Sequence, residues 1–175
     1  MRDLIGRLRT LTNRHMPTAP AFPETSLILD NDIFTHWRNE QAYAKTEIAA
    51  YIKRLKRPPA IACTTLFETI YGIENSRNKG KLSDEGAIRY LQRLRELSNA
   101  CILLPFEQRA ANIAGYILPR LSKSDQSRHW RDVFAAATAL AHSHGIATGN
   151  KRDFELIGDH LPPNHPYLRI ALWKA

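Results

Sequence analysis

The sequence predicts a three-layer α/β/α sandwich around a mainly parallel sheet, and three observations predict it. From Ser26 onward, short apolar runs alternate with longer segments of helical periodicity. The runs lack the apolar/polar alternation of a strand with one wet face, which is what strands covered by helices on both faces should look like. The length of 175 residues and the 43% hydrophobic content suit one compact domain with its own core.

Taken in order, residues 1–25 read as an appendage. "MRDLIGRLRTLTNRHM" places Leu4, Ile5, Leu8 and Leu11 at helical spacing, and the Pro-rich connector "PTAPAFPE" follows. Its two readings are an RNA-contacting arm and a helix lying on the domain surface. The domain proper spans 26–175. "SLIL" is the first strand, with a helix running to about Leu55; "AIAC" is the second, with helices through about Asn99. "CILLP" is the third strand, followed by one helix and by another at "HWRDVFAAATALAHSHG"; "IAT" is the fourth, and "YLRIAL" supplies a late strand. No internal repeat or low-complexity tract interrupts the series.

The 25 Lys and Arg against 17 Asp and Glu leave a formal charge of +8, which favours polyanionic partners such as nucleic acid. Cys63 and Cys101 have no zinc-site spacing and read as core thiols. No apolar run approaches the roughly 18 residues of a membrane span, and the N-terminus lacks the apolar block of a signal peptide. A cytoplasmic protein is expected.

In open parallel sheets ligands bind where strand ends run into the next helices. Asp30 and Asp32, in "LILDNDIF", fall at the end of the first strand. Glu68 lies early on the helix after the second strand, with Thr65 and Gly72 beside it at i−3 and i+4. Asp132 is expected to open the helix before the fourth strand, with Ala135, Ala136 and Ala139 on its following turns, and Asn150 stands at that strand's mouth. Carboxylates converging at one sheet edge repel one another unless a cation intervenes. Oxygen-only ligands select Mg²⁺ or Mn²⁺, and such ions can activate water and stabilise an in-line phosphoryl displacement. Taken singly, each acid also has a plain structural reading: Asp30 and Asp32 as turn and N-cap residues, Asp132 as a charge at a helix N-terminus, Glu68 as solvated surface. Their joint placement at one edge favours the site.

These residues carry a family resemblance. "LILDNDIF" resembles the opening D-T-N or D-T-D strand of PIN-domain nucleases, "TTLFETIYGIENS" their Thr-Glu-Gly block, and "RDVFAAATALAHSHGIATGNKRDFE" their closing block. The match covers roughly Ser26 to Phe154, and its spacing is most similar to VapC-type toxins of toxin–antitoxin pairs. The resemblance implies a PIN-like fold and a metal-dependent endoribonuclease. In it Asp30, Glu68 and Asp132 match the family's acids and are the expected ligands of Mg²⁺ or Mn²⁺. Asn150 stands at the fourth catalytic position and Thr148 before it, and Asp153 belongs to the D-F pair that follows. It further implies an RNA substrate, a homodimer and an inhibitory antitoxin.

Two other readings fit part of the sequence. A haloacid-dehalogenase-like phosphatase also ends its first strand in D-x-D, but it needs a later Lys and a further acidic pair after its Thr or Ser motif, and only "GDHLPPN" follows Thr148, too close and with a single Asp. A non-catalytic RNA-binding or regulatory module could keep the scaffold, although the intact acids argue against it. Arg131, Lys151 and Arg152 are candidate phosphate contacts or plain solvated surface. His142 and His144 read as helix C-terminal residues, and Trp37 and Trp130 as packing or base-stacking groups.

Overall fold

The computed structural model describes residues 25–165 and 167–174. The appendage read at 1–25 lies outside the described residues, apart from Thr25. Five strands alternate with seven α-helices among the described residues: β1 (Leu27–Leu29), α1 (Asn31–Arg38), α2 (Ala42–Leu55), β2 (Ala60–Ala62), α3 (Cys63–Asn78), α4 (Asp84–Asn99), β3 (Ile102–Leu104), α5 (Gln108–Ile117), α6 (Lys123–Ala141), β4 (Gly145–Thr148), α7 (Lys151–Gly158) and β5 (Ile170–Leu172). The strands form one parallel sheet in the order β3-β2-β1-β4-β5. This is the expected α/β/α sandwich.

Each strand supplies both cores, because successive side chains point to opposite faces. Ile28, Ala60, Ala62 and Ile146 pack with α5, α6 and α7, whereas Leu27, Leu29, Ile61 and Ala147 pack with the helices of the other layer. Hence the apolar runs show no alternation. In α6, Ala135, Ala136, Ala137, Ala139 and Ala141 are all buried, so short side chains let this helix lie close on the sheet and against α5. Tyr51 of α2 reaches the start of the central strand β1, where the Leu27 amide donates to its hydroxyl at 3.1 Å, giving a buried backbone group its partner.

The long helix expected after the first strand is two. It breaks at residues 39–41, where Glu40 takes a left-handed φ of 60°. The last helix before β4 starts earlier than its sequence pattern indicates, at Lys123. Ser122 caps it by accepting from the Asp125 amide at 3.2 Å. Asp132 therefore sits in the middle of a helix, which removes its reading as an N-terminal helix charge. Cys63 and Cys101 are free and only partly buried. No helix among the described residues is long and apolar enough to cross a membrane.

The strand order places the functional edge. From β1 the chain steps outward through β2 to β3, then returns to put β4 on the other side of β1. The strand order reverses between β1 and β4, and such a reversal opens a crevice beyond the strands' carboxyl ends.

Candidate functional site

Asp30 lies in that crevice. It leaves β1 with its amide donating to the Ala147 carbonyl of β4 at 2.9 Å, and it serves as N-cap of α1. Its carboxylate accepts from the Asn31 amide at 2.7 Å and from the Thr148 hydroxyl at 2.9 Å, the latter 118 residues away in sequence. The cap reading was thus correct locally, yet the side chain is only 8% exposed and faces other acids. Burial, then the charges of Asp32 and Asp132, hold its carboxyl well above the ordinary range, against the hydrogen bonds from Thr148 and Asn31.

Asp32 is a clasp. One oxygen accepts from the Ile33 amide at 2.5 Å and the other from the Gly149 amide at 2.9 Å, joining the start of α1 to the exit of β4. Position 149 has to be small, because a Cβ there would stand 2.7 Å from the Asp32 Oδ2. With both oxygens engaged by backbone, Asp32 is poorly placed for the mobile acid/base role that the phosphatase reading needs.

Glu68 enters from α3, partly exposed. Burial pushes its carboxyl up to about 7; the Arg131 guanidinium pulls it back and the Asp132 charge adds to the rise. Asp132 comes from α6 and is also raised, chiefly by burial, while His129 draws it down and Asp153 and Asp32 push it up. Each of these carboxyls is perturbed by another acid of the group, which is what like charges gathered at one edge should do.

The structure adds a residue that the sequence reading missed. His129, 5% exposed, stands one turn before Asp132 on α6, with its Nδ1 3.1 Å from the Asp132 Oδ2 and 3.5 Å from the Asp153 Oδ2. Suitable ligand atoms of His129, Asp132 and Asp153 all lie within 4.8 Å of one another, a group able to hold a metal ion. The i−3 spacing of His129 to Asp132 was the available signal. This candidate group includes an imidazole and so differs from the oxygen-only ligand set expected from the sequence.

Asn150 is exposed at the start of α7, where its side-chain amide donates to the Asp153 Oδ2 at 2.5 Å. Its own amide donates to the Thr148 hydroxyl at 3.0 Å. Asp153, not Asn150, presents the carboxylate to His129 and Asp132, and Asn150 braces it.

Among the other residues singled out, Arg131 lies over the Trp130 ring at 4.6 Å and Trp130 packs edge-on against Phe134. Lys151 pairs with Glu155 at 2.8 Å, and Trp37 packs edge-on against Phe34. His142 caps the end of α6, as expected.

No family model and no curated protein sequence matches the chain. Solved structures do. A chain of VapBC2 from Rickettsia felis, bound to a promoter DNA fragment, superposes with a TM-score of 0.64 at 17% identity, covering 85% of this chain and 98% of its own length. DNA-bound VapBC from Salmonella typhimurium gives 0.63 at 20% identity, over 86% of this chain and 99% of that one. VapBC-5 from Mycobacterium tuberculosis, a member of the VapBC family of toxin–antitoxin systems, gives 0.54 at 17%, over 85% and 98%. The chain thus has a PIN-like fold, shared over most of its length with chains of toxin–antitoxin complexes.

Proposed function

We propose that this protein is a divalent-metal-dependent endoribonuclease, the toxin of a toxin–antitoxin pair, acting as a homodimer. The observation that carries the reading is the gathering of Asp30, Glu68, Asp132, Asp153 and His129 at the β1/β4 switch point, with burial and mutual repulsion lifting the carboxyls of Asp30, Glu68 and Asp132. A cluster of that charge is stabilised by a cation. Asp132, Asp153 and His129 would hold it, with Asp30 and Glu68 facing it. One imidazole among carboxylates suits Mn²⁺ at least as well as Mg²⁺. A bound ion would lower the pKa of its water and neutralise charge developing on a phosphodiester.

The chain's own residues do the positioning. Thr148 and the Asn31 amide fix the Asp30 carboxylate, Asn150 fixes Asp153, and Asp32 holds the two connecting loops together. Arg131, beside Glu68, offers positive charge to a phosphate oxygen. The shared fold supports a cognate antitoxin partner, since the similar chains come from VapBC assemblies. A basic side chain entering the acid group is how such a partner would neutralise it.

The test is RNA cleavage by the antitoxin-free protein with Mn²⁺, with Mg²⁺ and with EDTA. Cutting is expected with either ion, at least as fast with Mn²⁺, and absent in EDTA. Equal cutting in EDTA would refute the metal mechanism. The His129→Gln variant should bind Mn²⁺ about ten-fold or more weakly by calorimetry, and unchanged binding would remove His129 from the ligand set.

A further inference from the structure

α1 and α3 leave the acid cluster side by side and form the walls of a groove of about 410 Å³. The wall residues keep helical spacing from the acid end outward: Asn31, Thr35 and Arg38 on α1, and Glu68, Gly72 and Ser76 on α3. The Thr69 hydroxyl donates to the Asn31 Oδ1 at 3.1 Å and ties the two walls together beside the acids. The other end is closed by Lys81 and by Tyr90 of α4. Lys81 is delivered there by the turn that ends α3, where Gly80 takes a left-handed φ of 66° and the Lys81 amide reaches back to the Ser76 carbonyl at 2.9 Å. Arg38 and Tyr90 also line a second hollow of about 450 Å³, which continues outward past Arg89.

The charge along this path is polar in one direction. Glu68 is the one acid lining the groove, and it stands at the cluster end; the far end carries Arg38 and Lys81. Arg38 is half-buried but meets no carboxylate among the described residues: its Nε donates to the Asn39 side chain at a long 3.4 Å, and its guanidinium lies 5.3 Å from the centre of the Tyr90 ring. By contrast, Arg93 nearby is paired with both Glu40 and Glu96, and Arg77 with Asp84 and Glu74. A guanidinium that has given up water without gaining a carboxylate is poised for an anion. Arg38 lies over one face of the Tyr90 ring, and the residue is still 43% exposed, which leaves ring surface for a base. Cation and aromatic ring side by side are the elements of single-strand recognition, phosphate on one and base on the other.

We propose that Arg38 and Tyr90 form a subsite for a nucleotide flanking the scissile bond of single-stranded RNA, Arg38 holding its phosphate and Tyr90 stacking its base. This rests on the ribonuclease reading of the adjacent acids, and it adds the direction in which the strand leaves them. Tyr90 accepts any base, so the subsite contributes affinity and register more than sequence choice. Lys81 adds charge at the same end.

The experiment measures binding apart from cutting. The full chain is titrated in EDTA with a fluorescein-labelled, mixed-sequence single-stranded RNA over a series of salt concentrations, and cleavage with Mn²⁺ is followed separately. Tyr90→Ala is expected to weaken binding about ten-fold with the salt dependence unchanged. Arg38→Ala is expected to reduce the slope of log K against log salt by about 0.7, as one lost phosphate contact on a single strand should. Arg38→Lys should restore that slope, which a loss of packing would not do. Arg54→Ala, on α2 and away from the groove, removes the same charge and should leave slope and affinity near wild type. The proposal is overturned if Arg38→Ala and Tyr90→Ala bind RNA as the wild type does while the wild type still cuts RNA; the groove then takes something else, such as a partner's peptide segment. It is also overturned if Arg54→Ala lowers the slope as much as Arg38→Ala. A wild type that neither binds nor cuts RNA would overturn both this subsite and the ribonuclease reading.

Discussion

Glu68→Gln should make the metal-free protein more stable at neutral and alkaline pH. The Glu68 carboxyl titrates at about 7 in the fold against an ordinary 4.5. Between those values the folded state holds a proton that the unfolded chain has released, so stability falls as pH rises through the window and stays lowered above it. The full difference corresponds to about 3 kcal/mol. Because Glu68 is far from fully buried and Arg131 is close, solvent screening reduces this to roughly 1–2 kcal/mol. Glutamine keeps the shape and removes the charge. In EDTA at about pH 8 the variant should melt roughly 3–6 °C above wild type, and the gap should close by about pH 4.5, where both side chains are neutral. Adding Mn²⁺ at about a hundred times its Kd stabilises a protein that binds it by about 2.7 kcal/mol; the Glu68 charge, which faces the ion, strengthens that binding only in the wild type, so the wild type should then gain more than the variant and narrow the gap. Scanning fluorimetry of both proteins at the two pH values, with and without Mn²⁺, reads all of this. A variant that melts at or below the wild type at pH 8 in EDTA would refute the reasoning, since Glu68 would then be stabilised as an ion by Arg131.

Asp153→Asn should abolish Mn²⁺-dependent cleavage, whereas Asn150→Ala, which removes only the brace on Asp153, should slow it about ten-fold; single-turnover rates that rank them the other way would make Asn150 the principal group. Gly149→Ala would set a Cβ 2.7 Å from the Asp32 Oδ2 and should cost about 1–3 kcal/mol. Its melting temperature should drop by roughly 2–10 °C, and an unchanged melt would mean that the Asp32 clasp is dispensable.

The sequence by itself determined the fold class and the strand ends at which acidic residues gather. Apolar runs such as "SLIL" and "AIAC" followed by helical periodicity are local signals, and a parallel sheet wrapped by helices is what they can build. That sheet edge singled out Asp30, Glu68 and Asp132. Tertiary structure decided what no local pattern encodes. The position of β4 beside β1, instead of beyond β3, depends on how α5 and α6 pack across the sheet, and it is this order that brings Thr148 to Asp30 over 118 residues. Capping by Ser122 moved the start of α6 ahead of its apolar face, which begins later, so Asp132 came to lie mid-helix with His129 one turn before it. The approach of Asp153 to His129 follows from the first turn of α7, which carries that side chain inward while Asn150, exposed at the helix start, donates to it. Arg38 and Tyr90 lie 52 positions apart, each unremarkable on its own helix, and only the packing of α1 and α3 against α4 sets a cation that meets no carboxylate among the described residues over a partly exposed ring.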